Sequence, residues 1–237
     1  MPQGNKKHDR LLKPFMSRNQ RQRMVPIQTA WLERDYFKIA HQKYSSLAGI
    51  PDQRLFFLQS LLRGLNGISG DVVECGVRFG KSTLFMAEAD GGRRNFHVFD
   101  SFEGLSDAVP DKDIGVGVMK RDGVTRKFAI SDMDAVMGRF DAYDNIVVYE
   151  GWIPDRFSEI AECQVALLHV DVDLYQPTLD TLEFFWGNVS PGGIAICDDY
   201  GAQDYPGAQA AFDEFFADRP EFPVELPSGQ AFVVKRS

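Results

Sequence analysis

The sequence predicts an α/β sandwich on a mostly parallel sheet. Three observations carry that prediction. From residue 70 onward, short apolar runs alternate with segments of helical period. The runs are rich in β-branched residues, as strands buried on both faces are. The chain then closes on "FPVELPSGQAFVVKR", which reads as a hairpin turning at Ser228-Gly229. Strands that alternate with helices pair in parallel, with the helices covering the sheet.

Taken in order, residues 27–48 and 52–67 repeat apolar positions at helical spacing, and Gly64 and Gly67 mark the second helix's end. "GDVVECGV" is the first strand, "KSTLFMAEAD" a helix and "NFHVFDSF" the second strand. Residues 103–127 are glycine-rich and charged with little periodicity, which predicts a functional loop or lid. "SDMDAVMGRF" reads as a helix capped by Ser131. "NIVVYEG" and "QVALLHVDVD" are the third and fourth strands. "TLDTLEFFWGNV" is a helix, "PGGIAICDDY" turns into a fifth strand, and "PGAQAAFDEFFADR" is a helix with Pro206 near its start.

A length of 237 residues, 44% of them hydrophobic, suits one globular domain with a terminal appendage. The net charge of −8 argues against a broad nucleic-acid surface. Lys6, Lys7, Arg10, Lys13, Arg18, Arg21 and Arg23 gather in residues 1–26, which read as a basic, flexible tail. No run is long and apolar enough to span a bilayer, and the start lacks the apolar core of a secretory signal. Three cysteines, Cys75, Cys163 and Cys197, cannot all pair within one chain, and the expectation is a reducing cytoplasm. The apolar and aromatic residues of 27–67 predict packing on the domain or on a second subunit, with a dimer favoured.

"GVRFGKS" resembles a phosphate-binding loop but is one residue short, because Gly76 and Gly80 enclose only Val77, Arg78 and Phe79. The dinucleotide fingerprint fails too, since Arg78 stands where its second glycine belongs. What fits is an acid followed by Gly-x-x-x-Gly at a strand end: Glu74, Gly76 and Gly80. Such glycines admit a ligand close to the backbone, and the next helix offers free N–H groups to a carboxylate. Glu74 is then a partner for an ammonium, and Asp100, ending the second strand, is placed to grip ribose hydroxyls. A nucleoside carrying an amino acid answers to S-adenosylmethionine.

"HVDVDLY" and "CDDY" add carboxylates. Alternation puts Asp171 and Asp173 on one face of the fourth strand's end, with His169 a step deeper, and Asp198 and Asp199 close the fifth strand. Four carboxylates at neighbouring strand ends repel unless a cation sits among them, and oxygen ligands suit Mg²⁺ or Ca²⁺. His169 reads more readily as a core histidine than as a base.

Together, "DVVECGVRFGKS", "VFDSFEGL", "EGWIPD", "LLHVDVDLYQPTLDTLEFF" and "SPGGIAICDDYG" resemble the macrocin O-methyltransferase family, from about Arg54 to Phe216. That resemblance implies a Rossmann-like class I sandwich of seven strands over 70–237 and metal-dependent methyl transfer from S-adenosylmethionine, beside the N-terminal helical segment that apolar spacing predicts over 27–69. It implies that Glu74, Gly76, Val77 and Ser82 hold the methionine end, Asp100, Ser101 and Phe102 the ribose, and Gly151 and Trp152 the adenine. It puts Mg²⁺ on Asp171, Asp198 and Asp199, turns Asp173, Tyr175 and Tyr200 toward the acceptor, and makes Asp171 or Asp173 the base. The acceptor it implies is a hydroxyl of a glycoside. Arg78-Phe79-Gly80 departs from the family's frequent Trp-Arg-Gly, and Lys81 is a bulky neighbour. Three other readings stay open: a methyltransferase of phenolic diols, a nucleotide-sugar glycosyltransferase using Asp171-Val172-Asp173, and an idle S-adenosylmethionine-binding scaffold.

Overall fold

Among the described residues seven strands form one sheet in the order β3-β2-β1-β4-β5-β7-β6. They are β1 (Asp71–Cys75), β2 (Phe96–Asp100), β3 (Ile146–Glu150), β4 (Val165–Val170), β5 (Val189–Cys197), β6 (Val224–Glu225) and β7 (Ala231–Val234). The structure is a computed structural model and describes residues 30–113, 128–129 and 132–237. β1 pairs in parallel with β2 and β4, β2 with β3, and β4 with β5, while β7 runs antiparallel between β5 and β6. The predicted sandwich and its closing hairpin are therefore both present.

The helices are α1 (Asp35–Tyr44), α2 (Asp52–Gly64), α3 (Lys81–Asp90), the short α4 (Pro110–Asp113), α5 (Met133–Phe140), α6 (Tyr175–Phe185) and α7 (Pro206–Phe216). They lie on both sheet faces, so β4 is buried at every position. On one face Phe37 of α1, Leu55 and Leu58 of α2 and Phe85 of α3 pack with Val72 of β1. On the other, Leu182 and Phe185 of α6 and Phe212 of α7 pack with Val73 and Leu168. The N-terminal helices thus cover the domain itself, the first of the two arrangements the apolar pattern allowed.

The differences in detail have local causes. The helix expected over 27–48 is a 3₁₀ turn, Ala30–Glu33, then α1, separated by an extended Arg34. The helix expected over 52–67 stops at Gly64, and Gly67 takes φ +93°. Helix α5 is capped by Asp132, whose side chain accepts from Ala135 N at 3.0 Å. The expected cap, Ser131, lies outside the described residues. So do residues 1–29 and most of the expected lid, 114–127. Its described beginning is tied down: the buried Asp113 carboxylate accepts from Val109 N at 2.6 Å and Tyr175 N at 2.8 Å.

The chain leaves β1 for β2 and β3, then returns to the other side of β1 as β4. In open parallel sheets the connections diverge at such a switch point and leave a crevice beyond the strands' carboxyl ends.

Candidate active site

A cavity of about 370 Å³ occupies that crevice. Its glycine loop is shaped by backbone needs. Gly76 takes φ +88° and Gly80 φ +77°, where residues with a Cβ are strained. A Cβ on Gly76 would stand 1.8 Å from the Asp171 carbonyl oxygen, so only glycine fits against the segment leaving β4. Asp100 organises the same loop. Its Oδ2 accepts from Val77 N and Arg78 N, both at 2.7 Å, and its Oδ1 accepts from Phe102 N at 2.7 Å. Asp100 faces the cavity, but the first work of its carboxylate is holding backbone. Ser82 sits in the first turn of α3, where helix N–H groups lack intrahelical partners.

Of the residues read from sequence, Gly76, Val77, Ser82, Asp100, Ser101, Trp152, Asp171, Asp173, Asp198 and Asp199 line this cavity. Five do not. Glu74 is fully buried beneath it, accepting from Thr83 Oγ1 at 2.5 Å and meeting His169 Nδ1 at 3.0 Å. Phe102 is buried with φ +58°. Gly151 donates its N–H to the Asp100 carbonyl at 3.0 Å. The two tyrosines expected to face the acceptor are turned away. Tyr175 sits in the first turn of α6 and donates to Glu214 Oε2 at 2.9 Å. Tyr200 donates to Asp213 Oδ1 at 2.6 Å. Both hydroxyls thus reach acids of α7, beyond the cavity wall.

The expected alternation also stops early. β4 ends at Val170, and Asp173 takes φ +59° in a tight turn closed by Leu174 N on Val172 O at 2.6 Å. Asp171 and Asp173 reach one cavity by that turn and not by the pleat.

The carboxylates of Asp171, Asp198 and Asp199 each offer an oxygen, and these oxygens lie within 4.8 Å of one another. Two effects act on their protons. Burial, then the charges of Asp198, Asp199 and Asp173, raise Asp171 well above the usual carboxylate range. Burial and Asp198 push Asp199 up to about 6 against the pull of Arg54. Asp198 goes the other way: burial would raise it, but His169, Arg54 and Gln230 outweigh burial and hold it low. Gln230 donates to its Oδ1 at 2.7 Å, and Arg54 Nη1 to its Oδ2 at 2.5 Å. His169 stands 3.5 Å from Asp198 and 3.0 Å from Glu74, fully buried. Burial favours its neutral form, but the two acids outweigh it and lift His169 to about 9. His169 does not line the cavity, and its place is that of a buried cation between two acids.

Sequence reading missed three cavity residues of consequence. Arg54 stands 144 positions before its partner Asp198. Lys81, nearly buried, points its ammonium at Ile50 O, 3.3 Å away. Phe128 lines the wall, with the Arg78 guanidinium 4.5 Å over its ring. The single available signal was a cation in an apolar helical stretch, at Arg54 and at Lys81.

The donor set fits a hard divalent cation. Three converging carboxylate oxygens suit Mg²⁺, the Oδ2 of Asp199 is buried with no hydrogen-bond partner among the described residues, and Asp171 and Asp199 are raised by burial and then by mutual repulsion that a cation relieves.

The fold is that of the Rossmann-like O-methyltransferases. The solved structure of the O-methyltransferase NovP superposes with a TM-score of 0.62 at 26% identity, covering 79% of this chain and 81% of that one. The family can be stated more closely. Residues 7–221 match the model of the macrocin O-methyltransferase (TylF) family, and the chain belongs to it. The 8-demethyl-8-(2,3-dimethoxy-alpha-L-rhamnosyl)-tetracenomycin-C 4'-O-methyltransferase of Streptomyces olivaceus is 32% identical over 71% of this chain and 66% of its own length. Demethyldecarbamoylnovobiocin O-methyltransferase of Streptomyces niveus is 32% identical over 64% of this chain and 60% of its own length. The chain thus spans less than two thirds of the length of these curated relatives, 66% of the first and 60% of the second.

Proposed function

We propose that this protein transfers a methyl group from S-adenosylmethionine to a sugar hydroxyl of a glycosylated small molecule, with Mg²⁺ at Asp171, Asp198 and Asp199. The observation that carries this reading is one cavity joining the Gly76–Gly80 loop to a carboxylate trio at the β1/β4 switch point. The sugar acceptor is drawn from the rhamnosyl substrate in the name of the Streptomyces olivaceus relative. The Cys75, Cys163 and Cys197 thiols are free, which suits a reducing cytoplasm, and exposed Phe222, Val224 and Val234 give a homodimer an apolar surface.

The donor's carboxylate would meet the N–H groups opening α3 and the Lys81 ammonium. Its ribose would meet the lone pairs that Asp100 keeps beyond its backbone bonds, and its adenine the wall of Trp152 and Ile153. A bound Mg²⁺ supplies Lewis-acid chemistry that lowers the pKa of a nearby hydroxyl. Asp171 or Asp173, both on the cavity wall, would take the acceptor's proton. His169, then Arg54, hold Asp198 ionised beside them. Positioning of oxygen against methyl supplies much of the rate.

Calorimetric titration of S-adenosylhomocysteine into the full chain tests the reading, with a nucleotide sugar plus Mg²⁺ as the contrast. Binding of S-adenosylhomocysteine is expected. Binding of the nucleotide sugar alone would overturn it in favour of glycosyl transfer.

A second expectation concerns pH. Asp199 ionises near 3.8 in the unfolded chain and near 6 in the folded one. Between those values the folded state binds more protons, so this group's contribution to stability falls as pH rises through that window. Above it both states are ionised and the folded one keeps the repulsion. Mg²⁺ should therefore raise Tm little below about pH 4 and most above about pH 6, read by thermal unfolding with and without the ion. An increment independent of pH would separate Asp199 from the cation.

A further inference from the structure

At the opposite end of the sheet, a second cavity of about 490 Å³ opens between the strands' amino ends. Asp71 begins β1, His97 is the second residue of β2, and Cys163 lies two residues before β4. Their side chains converge there. His97 Nε2 is 3.3 Å from Asp71 Oδ2, Cys163 Sγ is 3.9 Å from the same oxygen, and all three donor atoms lie within 4.8 Å of one another. Around a tetrahedral zinc with bonds of about 2.0–2.3 Å, neighbouring ligand atoms stand about 3.3–3.6 Å apart.

We propose that Cys163, His97 and Asp71 form a zinc site at this end of the sheet, separate from the cavity at the carboxyl ends. A thiolate, an imidazole and one carboxylate select a borderline-soft ion such as Zn²⁺ over Mg²⁺. A second observation supports the assignment. The other ring nitrogen of His97, Nδ1, lies 3.1 Å from the Tyr149 hydroxyl of β3. Metal-binding histidines have such a partner on their second nitrogen: with a metal at Nε2 in place of the Asp71 contact, Nδ1–H would donate to the Tyr149 oxygen. Asp71 is itself held: Asn95 donates to it from its backbone and its amide, at 3.0 and 3.2 Å. The cavity leaves the fourth position to water. Burial and Asp71 hold the free Cys163 thiol at about 11, so ligation releases its proton to solvent. The ion would clamp the starts of β1 and β2 to the approach to β4.

Titration of Co²⁺ into the full chain tests this. A thiolate-to-cobalt charge-transfer absorption is expected to saturate at stoichiometric metal, to disappear on adding Zn²⁺, and to be absent from Cys163→Ser. Oxygen ligands at Asp171, Asp198 and Asp199 give no such absorption, and Cys75 and Cys197 are 0% and 1% exposed. Tyr149→Phe should weaken binding at least about tenfold, and Zn²⁺ should raise the Tm of the unaltered chain. No thiolate absorption in the unaltered chain, or one that survives in Cys163→Ser, overturns the proposal. If Cys163→Ser fails to fold, His97→Gln gives the same test through lost Co²⁺ affinity.

Discussion

Asp199→Asn is expected to lower Mg²⁺-dependent methyl transfer by more than about 100-fold while leaving S-adenosylhomocysteine affinity nearly unchanged. Loss of a partner outside a metal's ligands commonly costs about 10–100-fold, so loss of a ligand should cost more. Asp199 is the cleanest of the three acids to alter. Among the described residues its Oδ2 has no hydrogen-bond partner, and Arg54 reaches its Oδ1 only at 3.5 Å. Asparagine keeps its shape and removes a charge that burial, and then Asp198, already disfavours. Asp198→Ala makes a poorer probe. Asp198 answers Arg54, Gln230 and His169 at once, and emptying it strands buried cations at a cost of about 3–5 kcal/mol. Steady-state methylation at varied Mg²⁺, alongside calorimetry with S-adenosylhomocysteine, decides the matter. Turnover retained by Asp199→Asn would take this residue out of the proposed metal site.

The carboxylates could be read from the sequence because each belongs to a strand end, and a parallel sheet brings strand ends together whatever lies between them. Asp171 and Asp198 are 27 positions apart in sequence, yet β4 and β5 are neighbours in register, Val170 against Cys197. The glycine loop was readable for a similar reason, since positive φ at Gly76 and Gly80 is a local demand. What failed depended on orientation. Tyr175 and Tyr200 stand beside the acids in sequence, but helix α6 and the turn after β5 aim their hydroxyls at α7. Glu74 stands one residue short of the strand's end, and the pleat places it under α3 with Thr83 and His169. Arg54 shows the other limit. Its meeting with Asp198 joins the second helix to the fifth strand, and nothing local in either segment encodes it. The zinc proposal has the same origin, because Asp71, His97 and Cys163 have no motif spacing and meet only through the sheet.

Gly76→Ala should cost more than about 3 kcal/mol of stability and abolish binding of both S-adenosylhomocysteine and Mg²⁺, whereas Gly91→Ala should cost only about 1–2 kcal/mol. Both glycines have positive φ, +88° and +68°, so both carry backbone strain on adding a Cβ, less at 91, whose φ +68° and ψ +34° fall in the left-handed helical region. Their surroundings differ. The new Cβ at position 91 meets nothing within 4 Å, while at 76 it falls 1.8 Å from the Asp171 oxygen and 2.6 Å from the Asp171 carbonyl carbon. Those are backbone atoms, and they cannot swing aside as a side chain can. Relief requires β1 and the segment after β4 to separate, where Asp171 N–H binds the Cys75 carbonyl at 2.8 Å and Gly76 N–H binds the Phe99 carbonyl at 2.9 Å. Moving Asp171 displaces a proposed metal ligand, and moving Gly76 displaces the loop proposed to hold the donor. One added methyl group therefore reaches both halves of the site through a single contact. Urea denaturation of the two variants separates this contact from general glycine strain. Equal costs at 76 and 91 would mean that the strand ends yield freely and that the loop and the carboxylates are not coupled through Gly76.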